Sequence, residues 1–194
     1  MKKQDIDRIC KEYNIINYII NEDDSIDVEG DVDLSGKKLK TLPLKFRNVS
    51  GNFDCSNNKL VSLEGAPERV FGNFNCSNNK LTNLQFIPKT YYSSCVNIST
   101  NMIRNLEYLH SSYKKLIFYN TPIYILLTQL INYNIFINII NKNDRELIRE
   151  FVDREIIQQD KLLVNRLVEF LYDIDKPKTK EELIELLKDE YEIR

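Results

Sequence analysis

The stretch GNFDCSNNKLVSLEGAPERV, residues 51–70, recurs almost letter for letter as GNFNCSNNKLTNLQFIPKTY, residues 72–91. The two copies are offset by 21 residues. A period of this length is typical of solenoids, in which each repeat is one structural unit stacked on the next. We take Cys55 and Cys76, which occupy equivalent positions, as the reference of a frame that can be extended along the chain.

The frame runs through five units spaced by 20 to 22 residues, and four of its columns are apolar in every unit. The reference column is Leu34, Cys55, Cys76, Ile98 and Phe118. The column two residues earlier is Val32, Phe53, Phe74, Val96 and Leu116. The columns five and eight residues later are Leu39, Leu60, Leu81, Ile103 and Ile123, and Leu42, Leu63, Leu84, Leu106 and Leu126. These columns predict one hydrophobic core shared by stacked turns.

Polar and glycine positions recur in the same frame. The alternating start of each unit predicts a short strand, after which the chain must turn. The turn column is Lys37, Asn58, Asn79, Asn101 and Thr121. A side-chain amide both donates and accepts hydrogen bonds, so we expect these asparagines to satisfy backbone groups at the turn. A glycine column of Gly30, Gly51 and Gly72 predicts a tight entry into the strand, and Pro67 and Pro88 disfavour long helices on the return path.

The units, written FxCSxNxLxxL, resemble leucine-rich repeats, whose core is LxxLxLxxNxL. They are most similar to the short, proline-containing bacterial class typified by the YopM and IpaH effectors. SGNFDCSNNKL and SLEGAP are also similar to segments of leucine-rich repeat proteins encoded by tailed phages and giant DNA viruses. The resemblance covers residues 15–126 and implies an α+β leucine-rich repeat solenoid with parallel strands on its concave face, in a viral or phage protein.

Both ends of the solenoid need covers for their apolar surfaces. We assign residues 1–30 to an N-terminal cap made of a helix and a hairpin, residues 31–126 to the repeats, and residues 127–194 to a C-terminal helical cap. The predicted helix spans residues 1–14, and the hairpin strands are residues 17–20 and 25–34. The C-terminal helices are predicted at residues 144–159, 162–174 and 181–192, the last opened by the capping box Thr179–Glu182.

Composition disfavours several classes of function. Lys and Arg total 27 against 29 for Asp and Glu, and the net charge of −2 predicts no nucleic acid partner. Aliphatic runs are far shorter than the roughly 20 residues that cross a bilayer, so no membrane contact is predicted. The N-terminus shows no apolar segment typical of a signal peptide. We expect a cytoplasmic protein, in the host cytoplasm if the protein is viral, with a virion location as the alternative.

The residues needed for catalysis or metal binding are scarce. Cys55 and Cys76 are interpreted as small apolar fillers of the core, while Cys95 is expected on the exposed face, where a thiol is a candidate nucleophile with no basic partner. The single histidine, His110, reads as a loop residue. IpaH-like ligases need a nucleophilic cysteine in their helical domain, and residues 127–194 contain none. We predict a non-enzymatic protein with no metal and no cofactor.

An acidic segment precedes the second unit. Asp27, Glu29, Asp31 and Asp33 alternate with apolar residues, and a period of two places all four carboxylates on one strand face. Like charges repel there, so the face would meet open water, bind a cation or await a basic partner.

The columns between the buried ones are predicted to face outward on the concave sheet. The candidate binding residues are Asp33, Asp54, Ser56, Asn57, Asn75, Ser77, Asn78, Asn97, Ser99 and Tyr119. An alternative for the serine and asparagine positions is local bonding within the turn. The leading hypothesis is a module that binds a protein partner, such as a host factor, through this face. The alternative is a virion or assembly component that oligomerises through the helical cap, and the oligomeric state stays open.

Overall fold

The protein is described from a computed structural model. The structure describes residues 1–91, 94–104, 108, 115–124, 157–158, 161–162, 165–167, 169, 179–187 and 192–193.

The repeats form a parallel-strand β-solenoid of about four turns. The first of its two sheets, here the repeat sheet, contains the strands predicted by the frame. They are β3 (Val32–Asp33), β5 (Phe53–Asp54), β7 (Phe74–Asn75), β9 (Cys95–Asn97) and β10 (Lys115–Ile117), all parallel.

A second parallel sheet lies on the return path, where sequence reasoning predicted no strands beyond the hairpin. This return sheet consists of β2 (Ile26–Val28), β4 (Phe46–Val49), β6 (Arg69–Val70) and β8 (Lys89–Thr90), with β1 (Tyr18–Ile20) added antiparallel to β2. Residues 26–97 therefore alternate between the two sheets.

The core lies between the two sheets and follows the predicted columns. In the column two residues before the reference, from Val32 to Leu116, neighbouring members are paired in register. Phe53 and Phe74 stack with ring centroids 6.0 Å apart, and Phe46 of the return sheet meets Phe53 edge-on at 5.1 Å. All three rings are buried. Full burial of one such side chain stabilises the fold by about 1.5–3 kcal/mol relative to exposure.

The turn asparagines do what the sequence predicted. Asn58, Asn79 and Asn101 are buried. Each donates its Nδ2 to carbonyl groups of its own turn and of the turn below, and its Oδ1 accepts the N–H of Leu39, Leu60 or Leu81. Thr121 repeats only part of this, because its hydroxyl donates to the Phe118 carbonyl. These side chains join consecutive turns where the sheet ladders stop.

The residue before each member of the turn column has left-handed backbone. Gly36, Asn57, Asn78, Thr100 and Asn120 have φ between 53° and 66°. Glycine and asparagine tolerate this region, whereas a β-branched residue is strained in it. Thr100 is the exception in the column.

We expect Thr100→Asn to stabilise the protein by about 1 kcal/mol, because it relieves the strain of a β-branched residue at positive φ. The matched control is Asn57→Thr, which introduces the same strain two positions earlier in the column and should destabilise by a similar amount. Urea unfolding midpoints measure both changes. If the two substitutions shift the midpoint in the same direction, backbone strain does not govern this column.

The N-terminal segment contains the predicted helix and hairpin. Helix α1 (Lys3–Glu12) buries Ile6 and Cys10 in the core. The hairpin pairs Tyr18 with Val28 across the turn. The prediction of one strand over residues 25–34 is wrong, because the chain bends at Gly30, with φ of 117°, and continues as β3 in the other sheet.

The C-terminal residues include strands that were not predicted. Strands β11 (Ile157–Gln158), β12 (Lys161–Leu162) and β13 (Glu192–Ile193) form a three-stranded sheet. The predictions of helix at residues 157–158, 162 and 192 are therefore wrong. Helix α2 (Lys180–Leu187) follows the predicted capping box, in which the Glu182 N–H bonds the Thr179 hydroxyl and the Thr179 N–H bonds the Glu182 carboxylate.

Most of residues 127–194, together with His110, Leu106 and Leu126, lies outside the described residues, and the predicted domain boundaries stay predictions. None of the helices among the described residues is long and apolar enough to cross a membrane.

Candidate binding face

The outward column of the repeat sheet is assembled as an in-register row. The strand pairing places Asp33, Asp54, Asn75, Asn97 and Ile117 side by side on consecutive strands. Asp33 is exposed and the other four are half-buried. Neighbouring strands lie about 4.8 Å apart, so the row presents one polar group per strand step and ends on an apolar residue.

The side chains of this row already make hydrogen bonds within the sheet. The Asn75 Nδ2 donates to the Asp54 Oδ2 at 2.9 Å. The Asp54 Oδ1 accepts the Ser56 N–H at 2.8 Å, and the Asn75 Oδ1 accepts the Ser77 N–H at 3.2 Å. Hydrogen bonding by Ser35, through its side chain first and its N–H second, holds the pKa of the Asp33 carboxyl below its usual value. A partner would therefore meet carboxylate and amide groups fixed in position by the fold.

Two of the three candidate serines do not face outward as predicted. Ser56 and Ser99 are 2% and 1% exposed, and Ser77 is half-buried. The hydroxyls of Ser77 and Ser99 donate to the side chain two residues earlier, Asn75 or Asn97, at 2.8 and 2.7 Å. The strand's alternation of inward and outward side chains stops before the serines. The residue after each serine has left-handed backbone, so the chain is already turning there.

The asparagines at the left-handed positions are exposed. The Asn78 Nδ2 donates to the Asn57 Oδ1 at 2.8 Å, so these two amides form a second polar row beside the first. Tyr119 is 49% exposed. The predicted face thus loses Ser56 and Ser99 and retains the exposed or half-buried candidates, which are Asp33, Asp54, Asn57, Asn75, Ser77, Asn78, Asn97 and Tyr119.

The acidic residues do not share one face. Asp27 lies on the return sheet, where Arg47 Nε donates to its Oδ1 at 3.0 Å, and this bond is the main reason that the pKa of Asp27 is lowered. Asp31 accepts the Asn52 N–H at 2.6 Å at the bend between the sheets. Within the described residues no three Asp, Glu, His or Cys side chains are grouped to hold a metal ion. The prediction of four aligned carboxylates is wrong because the chain changes sheets at Gly30.

The cysteines are free thiols. Cys55 and Cys76 are fully buried in the core, as predicted, and burial raises the pKa of both. Burial likewise raises the pKa of Cys10 to about 11. Cys95 is half-buried rather than exposed, and burial raises its pKa although Lys115 acts in the opposite direction. A raised pKa disfavours the thiolate that a nucleophile needs.

We expect a thiol reagent at neutral pH to modify Cys95 before the other three cysteines of the native protein. Cys55 and Cys76 have no exposed surface and must await opening of the solenoid. Labelling followed by peptide mass spectrometry resolves the order. In Cys95→Ser the first phase should vanish, and its persistence would show that the solenoid opens faster than the packing implies.

Sequence reasoning missed the outer surface of the return sheet. Arg69 and Lys89 are paired in register there, and Phe71 stacks on Tyr91 with ring centroids 4.5 Å apart, both rings being exposed. The signal in the sequence was a basic residue two positions before an aromatic one, in Arg69–Phe71 and again in Lys89–Tyr91. This pattern is too short to identify a strand.

Comparison of the chain with protein-family models, curated proteins and solved structures finds no match.

Proposed function

We propose that the chain is a leucine-rich repeat protein of phage or viral origin that binds a partner protein without catalysing a reaction. The outer face of the repeat sheet is the proposed binding surface, and the host cytoplasm is the proposed site of action. The resemblance of the repeat units supports the repeat class and the origin. The in-register polar row that begins at Asp33 and Asp54 is the observation that carries the binding proposal.

The chemistry of the row determines the kind of partner. Its carboxylates lie in the first two turns and its amides in the next two, and Ile117 and Tyr119 follow at the far end. A complementary surface would carry basic groups at one end, amide or hydroxyl groups in the middle and an apolar group at the other end. Fixed polar groups of this kind favour specificity over strength, since no large aromatic anchor lies in the middle of the row.

The test uses the double variant Asp54→Lys, Asn75→Lys in affinity capture from host lysate. Both side chains are half-buried on the proposed face, and two long cations in the centre should abolish recovery of the partner. The matched control, Glu68→Lys with Gln85→Lys, makes the same change in net charge at exposed positions of the return path. Equal recovery by the wild type and both variants would refute the proposed face.

Particle mass distinguishes the binding module from the alternative of an assembly component. A monomer in the absence of lysate is expected from the proposal. A discrete ring or a filament of the purified protein would favour the structural role.

A further inference from the structure

The two sheets end differently at the N-terminal end of the solenoid. The return sheet is extended past β2 by the antiparallel strand β1. The repeat sheet ends on β3, which pairs with β5 alone among the strands that the structure describes. An edge strand keeps one side of its backbone free for pairing with another chain. The repeat sheet therefore has an open edge where the return sheet has a covered one.

A recurring hydrogen bond shows what this edge lacks. The N–H groups of Asn52, Asn73 and Cys95 each donate to a side-chain oxygen in the turn below, at 2.6, 2.8 and 2.8 Å. Asp31 holds the same place in the first turn, and no turn lies below it. Its N–H has no hydrogen-bond partner in the part of the chain that the structure describes. The edge thus presents a donor that the fold pairs with oxygen everywhere else.

A cleft of about 490 Å³ runs along this edge. On one side it is lined by Asn14, Ile16 and Asn17, and Ile16 is 63% exposed. On the other side it is lined by Glu29, Asp31 and Asp33, with Lys37 as the only basic lining residue. The cleft lining thus combines three carboxylates with the apolar side chain of Ile16 and the ring of Tyr13.

We propose that this edge binds an extended basic peptide segment of a partner protein, which adds a strand to β3. Main-chain hydrogen bonds would supply the affinity, as in other cases of strand addition, and a peptide carbonyl would accept the Asp31 N–H. Lysine or arginine side chains of the peptide face Glu29 and Asp31, and an alternate apolar side chain faces Ile16. This surface is the edge of the sheet and not its outer face, so the inference goes beyond the proposed function.

The probe is a capped peptide of alternating lysine and valine, Lys-Val-Lys-Val-Lys-Val, labelled for fluorescence anisotropy at low ionic strength. The edge variant is Glu29→Gln with Asp31→Asn. Asparagine occupies the Asp31 position in two higher turns, as Asn52 and Asn73, so this substitution preserves the bond to the turn above. The matched control, Glu64→Gln with Glu68→Gln, removes the same number of carboxylates at exposed positions away from the edge.

The expected result is binding to the wild type, a rise in Kd of about fivefold for the edge variant and an unchanged Kd for the control. Two further peptides carry N-methyl groups on the lysine amides only or on the valine amides only. Because an added strand uses one of its own edges, one of these peptides should bind and the other should not.

The proposal would be overturned if the peptide does not bind or if both double variants lose binding equally. It would also be overturned if the two methylated peptides behave identically, because binding would then rest on charge attraction and not on strand addition. If the peptide does not bind but the protein self-associates, and the edge variant abolishes this self-association, the occupant of the edge is a second copy of the chain. That result would also contradict the proposal. The peptide assay involves no lysate partner, so failure of the proposed outer face leaves its result intact.

Discussion

Asn79→Ala is expected to lower the free energy of unfolding by about 3 kcal/mol, although it removes no apolar contact. The Asn79 Nδ2 donates to the carbonyls of Cys55 and Cys76 at 3.0 Å and of Ser77 at 3.3 Å, and its Oδ1 accepts the Leu60 N–H at 2.9 Å. Alanine leaves the buried Leu60 N–H without its partner. It also removes one of the donors to each of the three carbonyls, which keep their bonds to Asn58, Asn101 and the Asn57 N–H. Unsatisfied buried groups cost more than the average hydrogen bond contributes. Urea unfolding, with an unchanged dependence on urea concentration, measures the loss.

Two further variants distinguish the loss of the Asn79 hydrogen bonds from the general effect of replacing an asparagine. Asn83→Ala removes an exposed asparagine that bonds only the Gln85 N–H, and it should cost less than about 1 kcal/mol. Asn79→Asp keeps the shape and still accepts from Leu60, but it replaces a donor by an oxygen facing three carbonyls. It should therefore be at least as destabilising as Asn79→Ala. An Asn79→Asp protein as stable as the wild type would show that donation by the amide does not hold the turns together.

The asparagine column was predictable because one residue type at a fixed spacing repeats one local geometry. The same holds for the apolar columns, whose period of about 21 residues outweighs the weak propensity of any single two-residue strand. The return sheet escaped for the opposite reason. Its strands Arg69–Val70 and Lys89–Thr90 are too short to show an alternation, and they follow Pro67 and Pro88, which lower the prior for a strand.

Errors in the candidate site arose where the chain leaves the strand. A period of two predicted Ser56 and Ser99 outside, but the left-handed residues that follow them turn the chain and bury both hydroxyls. The same cause separated Asp27 from Asp33, since Gly30 carries the chain from one sheet to the other. Side-chain direction can be read from sequence within a strand and fails at its ends, where backbone dihedrals decide it.

Gly72→Ala should destabilise the solenoid by about 3 kcal/mol, because the turns approach most closely at this column. A Cβ at Gly72 would lie 2.7 Å from both the carbonyl carbon and the oxygen of Gly51, and 2.7 Å from the Asn52 Oδ1. Two of these three atoms are backbone and cannot move aside as a flexible side chain would. The bond from the Gly72 N–H to the Gly51 oxygen, 2.9 Å long, must lengthen to admit the methyl group. Thermal unfolding followed by far-UV circular dichroism measures the effect.

The matched control for this clash is Gly36→Ala. Gly36 has φ of 66°, so alanine is strained there, but a Cβ would meet nothing within 4 Å. This substitution should cost only about 1 kcal/mol. The sequence predicted a residue without Cβ at this column, and at Gly51 and Gly72 the reason is contact with the neighbouring turn, whereas Gly30 is required by its φ of 117°. If Gly36→Ala proves as destabilising as Gly72→Ala, close approach of the turns is not what selects glycine at positions 51 and 72.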